Sequence, residues 1–238
     1  MNITYHSNYE EMSRAAAALL LAEIRQKPDL LLCPATGNSP LLAYQQLAAG
    51  YNAHPGAFNR LRLLKLDEWG GIPIDHPDSC ESFLKDQLIG PLKVSPDRYF
   101  GFDSRPAEPE KECERMQGVL QQQGPIDVCV LGLGPNGHIA MNEPATVLHP
   151  NFHIADLSVE SLQHSMVLNM DPKPTYGITV GMADIMLSRR ILLLITGSQK
   201  KWAAETLLKK PISTQLPASL LWLHPQVECL VDISVLEG

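Results

Sequence analysis

The sequence predicts an α/β fold, a mostly parallel sheet with helices on both faces, formed as one domain over residues 1–238. Three observations lead there. Short, almost continuous apolar runs at Asp29 to Cys33, Leu61 to Leu66, Ile126 to Leu131 and Arg190 to Thr196 have the character of strands buried on both faces. Helical stretches lie between them, and each run ends in a polar or glycine-bearing loop.

Taken in order, Tyr9 to Gln26 reads as a helix capped by Asn8. After the first strand, Pro34-Ala35-Thr36-Gly37-Asn38-Ser39-Pro40 leads into a helix whose first turn opens at Pro40, since proline suits that position. Asp78, with Glu81 three residues on, resembles a capping box for a helix near Ser79 to Ile89. The proline-rich part from Ser95 to Pro109 reads as a surface loop, and Ala107 to Gln123 and Gln199 to Lys209 as helices. Pro217 to Asp232 holds a short helix and a closing strand, with Leu220 to Leu223 open to either assignment.

Composition narrows the function. At 238 residues, 45% apolar and 19% charged, the chain is neither disordered, collagen-like nor a coiled-coil rod. A net charge of -7 is a poor balance for gripping a polyanion, so nucleic acid is not an expected partner, whereas a small phosphate ester needs only a local cradle. The longest apolar run, Ala15 to Ala22, is too short to span a membrane, and Glu10, Glu11 and Glu23 flank it where a signal peptide would be basic. A cytoplasmic protein is expected. Five scattered cysteines, with no Cys-x-x-Cys pair, read as buried free thiols.

In open parallel sheets, ligands bind beyond the carboxyl ends of the strands, and four loops there carry candidate chemistry. Around Thr36, Gly37, Asn38 and Ser39, a tight turn, free amides and hydroxyls at a helix start can hold an anion; an ordinary capped helix start is the plainer alternative. Asp67 and Glu68 follow the second strand and point to opposite sides if extended, so one can face a cleft as a proton-transfer base while backbone holds the other. A turn cap made by Asp67 competes evenly. Three glycines in Gly132-Leu133-Gly134-Pro135-Asn136-Gly137-His138 argue for close approach of a ligand, and His138 with Glu143 suits a base and its orienting carboxylate. The metal-ligand spacing is incomplete, so no metal is expected. Lys200 is placed to reach a phosphate held by the first loop, against the usual fate of a surface lysine. His149 and His153, separated by the helix-breaking Pro150, read as structural.

These segments, joined by His76-Pro77-Asp78-Ser79, by Gly137-His138-Ile139-Ala140-Met141-Asn142-Glu143-Pro144 and by Gly177-Ile178-Thr179-Val180-Gly181, resemble the glucosamine-6-phosphate deaminase family. Trp69, Asn136 and the Ser79-Cys80-Glu81-Ser82-Phe83 run resemble its galactosamine-6-phosphate branch. The resemblance implies a modified Rossmann-like fold, no organic cofactor, a small sugar-phosphate substrate and a homo-oligomer. It implies conversion of an amino-sugar 6-phosphate to a ketose 6-phosphate and ammonia. His138, oriented by Glu143, would open the ring; Asp67 would carry the C2 proton to C1; Thr36, Gly37, Asn38, Ser39 and Lys200 would hold the phosphate.

Two departures stand out. Asn136 replaces the family's Asp two residues before the histidine, and the segment Leu157 to His164 offers Leu162 and Gln163 where the family has a phosphate-binding Arg, with His164 as a substitute. The rival readings are a 6-phosphogluconolactonase-type hydrolase, which shares the Gly-His stretch, and a non-catalytic sugar-phosphate sensor. Met141-Asn142-Glu143-Pro144 and Trp69 weigh against the hydrolase, and intact Asp67, His138 and Glu143 against the sensor.

Overall fold

A computed structural model of the chain describes residues 1–51, 53–163, 165–168 and 170–237. Its strands are β1 (Asn2–His6), β2 (Leu31–Cys33), β3 (Arg62–Leu64), β4 (Asp67–Gly70), β5 (Tyr99–Phe100), β6 (Val128–Gly132), β7 (His153–Ala155), β8 (Tyr176–Thr179), β9 (Arg190–Ile195) and β10 (Val227–Asp232). The α-helices are α1 (Tyr9–Gln26), α2 (Asn38–Tyr51), α3 (Cys80–Leu84), α4 (Pro109–Gln123), α5 (Val159–Leu162), α6 (Ser165–Leu168), α7 (Met182–Met186), α8 (Lys201–Leu208) and α9 (Ser234–Glu237).

Seven strands form one sheet in the order β1-β10-β9-β6-β2-β3-β5. Every neighbouring pair is parallel, as the apolar runs require. The two-residue period sorts the side chains onto two faces. Leu32, Val128, Val130, Leu192 and Leu194 pack with Met12, Leu20 and Ile24 of α1 and Tyr44 and Leu47 of α2. Cys33, Cys129, Leu131, Leu193 and Ile195 face the other way, onto Met116 and Leu120 of α4 and Ala203, Ala204 and Leu207 of α8. The predicted mostly parallel sheet with helices on both faces is the observed architecture.

A second, antiparallel sheet, β4-β8-β7, was not legible in the sequence. The chain leaves the main sheet after β3, Lys65 N still donating to Phe100 O at 2.9 Å, and enters the small sheet at Asp67. The predicted loop at Asp67-Glu68-Trp69 is therefore a strand, which removes the turn-cap reading of Asp67. Trp69, Ile72, Cys80, Met141, Ala155, Val167 and Met170 form a third core under this sheet.

Other boundaries moved for local reasons. Asn8 caps α1 as expected, its Oδ1 accepting from Glu11 N at 2.9 Å. Helix α2 opens at Asn38 rather than Pro40, and the cap of α3 is Ser79 rather than Asp78, because the Ser79 hydroxyl accepts from Ser82 N at 3.0 Å. After α3 the chain widens into a π turn over Lys85–Ile89. The Ser95 to Pro109 segment is not all loop, since it contributes β5 at the sheet edge. Leu220 to Leu223 lie in a 3-10 helix, Pro217–Leu223, and β10 closes the segment as expected. All five cysteines are buried and free.

Candidate active site

A cavity of about 540 Å³ lies beyond the carboxyl ends of β2, β6 and β9, where a parallel sheet places its loops. Thr36, Asn38, Ser39 and Lys200 line one part of it, and Asp67, Trp69, Cys80 and His138 another. Among the described residues, no group of three or more His, Cys, Asp or Glu side chains converges as a metal site. Among those residues, no helix is long and apolar enough to cross a membrane.

The anion-binding half is built from two loops. Gly37 has φ of 93°, a left-handed conformation that turns the chain into α2 and that a side chain would strain. Lys200 Nζ donates to Ser39 Oγ at 2.7 Å across the gap between the loops, so the cation is already aimed into the cradle. It is not the freely solvated surface lysine of the plainer reading; desolvation in the cavity brings its pKa down to about 8. The Thr36 hydroxyl donates to Cys80 Sγ at 3.3 Å, tying the cradle to the neighbouring half.

Alternation along β4 gives the two acids opposite fates. Asp67 faces the cavity, while Glu68 is fully buried and accepts backbone N–H bonds from Trp69 at 2.8 Å, Cys80 at 3.0 Å and Glu81 at 3.0 Å. Burial raises the Asp67 pKa to about 7, and the negative Glu68 adds to the rise, against the opposing pull of Lys65, His138 and the Cys80 thiol. A carboxyl group so poised is a proton acceptor near neutral pH.

The glycine-rich loop after β6 places the histidine. Its turn closes with Gly134 N donating to His138 O at 2.9 Å and Gly137 N to Gly134 O at 3.0 Å. The imidazole lies directly against Gly134, where a Cβ would come within 2.4 Å of ring atoms. His138 Nδ1 is 3.4 Å from Glu143 Oε2, an ion-pair distance whose alignment leaves Nδ1 without a hydrogen bond. Asn136 Nδ2 donates to the same oxygen at 2.8 Å, and its Oδ1 accepts from His138 N at 3.1 Å. The Ser161 hydroxyl donates to Glu143 Oε1. Burial alone would raise the Glu143 pKa; the His138 ring, Ser161 and Asn136 outweigh it and bring it down to about 2. Asn136 thus acts on the carboxylate behind the histidine.

Thr36, Asn38, Ser39, Asp67, His138 and Lys200 line the cavity itself, and Gly37, Asn136 and Glu143 do not. Gly37 shapes the backbone of the cradle, and Asn136 and Glu143 stand behind His138. Ser161 and Gln163 also line the cavity, whereas His164 lies outside the described residues. Sequence reasoning did not single out Cys80, Ser161 or Lys65; of these only Lys65 carried a signal, as a cation inside an apolar strand run. His149 and His153, read as structural, stack at 4.5 Å beside a separate cavity of about 360 Å³.

Known proteins similar to this chain point the same way. The protein AgaI of Escherichia coli (strain K12) is 40% identical over 94% of this chain and 89% of its own length. Glucosamine-6-phosphate deaminase of Halothermothrix orenii is 36% identical over 98% of this chain and 97% of its own. The solved structure of a monomeric glucosamine-6-phosphate deaminase superposes with a TM-score of 0.93 at 33% identity, covering 100% of this chain and 99% of that one. A family model described as glucosamine-6-phosphate isomerases/6-phosphogluconolactonase matches residues 7–231, and the chain belongs to that family.

Proposed function

We propose that the chain is an aldose-ketose isomerase and deaminase that converts an amino-sugar 6-phosphate to a ketose 6-phosphate and ammonia. The observation that carries this reading is one cavity holding a cationic anion cradle, a carboxyl group with pKa about 7 and a carboxylate-backed histidine. Family membership and deaminase relatives support it.

The Thr36 to Ser39 loop and Lys200 hold the phosphate, which fixes the sugar so that C2 meets Asp67. His138 moves the anomeric hydroxyl proton to the ring oxygen and so opens the ring, with Glu143 stabilising the imidazolium. Asp67 takes the C2 proton while O1 accepts one from solvent, giving an enaminol, and returns the C2 proton to C1. The product is a C2 iminium; water adds to it, and the nitrogen leaves as ammonium, carrying the proton that entered at O1.

Galactosamine 6-phosphate is the preferred epimer, supported by Trp69 on the cavity wall beside Asp67 and by Asn136 behind His138. Ammonium release by the purified protein, with galactosamine and glucosamine 6-phosphates offered separately and ketose 6-phosphate followed in parallel, tests reaction and epimer together. Faster release from the galacto substrate is expected. A gluco preference overturns the epimer, and binding of both without release overturns the enzyme in favour of a sensor.

A further inference from the structure

Lys65 is an anomaly in the middle of the apolar run Leu63-Leu64-Lys65-Leu66. Its side chain is fully buried, a costly place for a charge without partners. Its Nζ lies 2.5 Å from Glu68 Oε2 and 2.7 Å from Glu81 Oε2. Glu68 is completed by its three backbone N–H donors, and Glu81 Oε2 by the Tyr99 hydroxyl at 2.5 Å. Lys85, at the solvent end, approaches Glu81 Oε1 at 3.4 Å. A buried network of this kind adds little net stability over apolar packing of the same volume, so its main physical consequence is the field it imposes on its surroundings.

That field falls on Asp67. The network clamps β4 from behind: Glu68 joins it to the start of α3, and on the other edge Asp67 is in register with Thr179 of β8. We propose that the buried Lys65–Glu68–Glu81 network is a positioning and charge-tuning device for Asp67, setting the pH at which it becomes a base. The inference rests on Asp67 being the base of the proposed reaction.

The charges facing Asp67 come from several elements. Glu68 strengthens its hold on the proton, while Lys65, His138 on the β6 loop and the Cys80 thiol of α3 weaken it. Cys33 of β2 and Tyr44 of α2 lie in the same field, and burial pushes both of these groups, like Cys80, further toward their uncharged forms. Lys65 and Glu68 therefore act on the base with opposite signs from within one ion pair.

The test is the acid limb of the kcat profile against pH, measured in the intact chain. Lys65→Met/Glu81→Gln leaves the summed charge of the network unchanged but takes the cation away from Asp67, so the limb moves up by about one pH unit. Glu68→Gln moves it down. A structural role alone would lower kcat without moving the limb, and fixed limbs or two shifts in one direction overturn the proposal. A readout free of any folding risk is the parent enzyme's kcat limb at about 0.05 and 0.5 M salt: a field from buried charges keeps any movement well below the roughly one-unit shift of the variants, and a salt shift as large as that places its source on exposed charges and overturns the proposal. Asp67→Asn separates the two readings. Retained turnover in that variant removes Asp67 as base and this inference with it, whereas lost turnover with immobile limbs in the other variants defeats only the network.

Discussion

Asp67 and Glu143 are two carboxyl groups of one site, both desolvated, yet they move in opposite directions, to about 7 and about 2. The difference lies in what replaces water. Glu143 gains Ser161, Asn136 and the His138 ring, three partners that favour its ionised form. Asp67 is pulled the same way by Lys65, His138 and the Cys80 thiol, but it is more deeply buried and the like charge of Glu68 stands one residue away, and burial with Glu68 prevails. Burial by itself does not set the sign; its balance against the charges that meet each group does. Two carboxyl groups driven apart in this way mark a division of labour, with Asp67 taking up a proton and Glu143 remaining an anion behind the histidine.

The sharpest way to break this contrast is Asp67→Asn, which leaves the shape of the site and removes the proton acceptor. Turnover should fall by roughly 10²- to 10⁴-fold while phosphate binding persists, and undiminished turnover would take Asp67 out of its role. Gly134→Ala attacks the other side. Its Cβ would sit 2.4 Å from the His138 ring, so the ring must swing away, and a displacement of about 1 Å is enough to cost on the order of 10² in kcat. Ring displacement would be read directly in the structure of the variant.

Lys200→Ala tests the cradle without touching either carboxyl group. Losing a charged hydrogen-bond donor of roughly 1.5–3 kcal/mol should raise KM by about ten- to a hundredfold with kcat little changed. An unchanged KM would place the phosphate elsewhere. The pH profile links the halves: kcat/KM should rise through about 7 as Asp67 ionises and fall through about 8 as Lys200 loses its proton. Because arginine stays charged, Lys200→Arg should abolish the falling limb and keep the rising one. The smallest effect belongs to Ser161→Ala. It withdraws one donor from Glu143, whose pKa near 2 leaves ample reserve, so kcat at neutral pH should change by less than about tenfold.

Much of this site was legible because it follows local rules. Glycines and small polar residues mark a tight loop wherever they stand, so the cradle at Thr36 to Ser39 and the loop ending at His138 could be read directly. Alternation along an extended chain separates Asp67 from Glu68 without knowledge of the fold. The small antiparallel sheet was not legible, because β4 opens on two acids and β7 and β8 are too short to show a period. Strand β1 escaped for a related reason: Asn2–His6 is a mixed, largely exposed edge strand without an apolar run.

By itself the sequence determined the parallel sheet, its two apolar faces, the free thiols and the residue types of the site, because periodicity, loop chemistry and composition act over a few residues at a time. Only the tertiary structure decided which charges meet. Lys65 and Glu81 lie sixteen positions apart, Ser161 and Glu143 eighteen, and Lys200 and Ser39 one hundred and sixty-one. Lys65 and Glu68 stand beside Asp67, and Asn136 and His138 near Glu143, but the exclusion of water from both carboxyl groups and the Ser161 hydroxyl on Glu143 come only from the folded chain, and with them the final proton affinities.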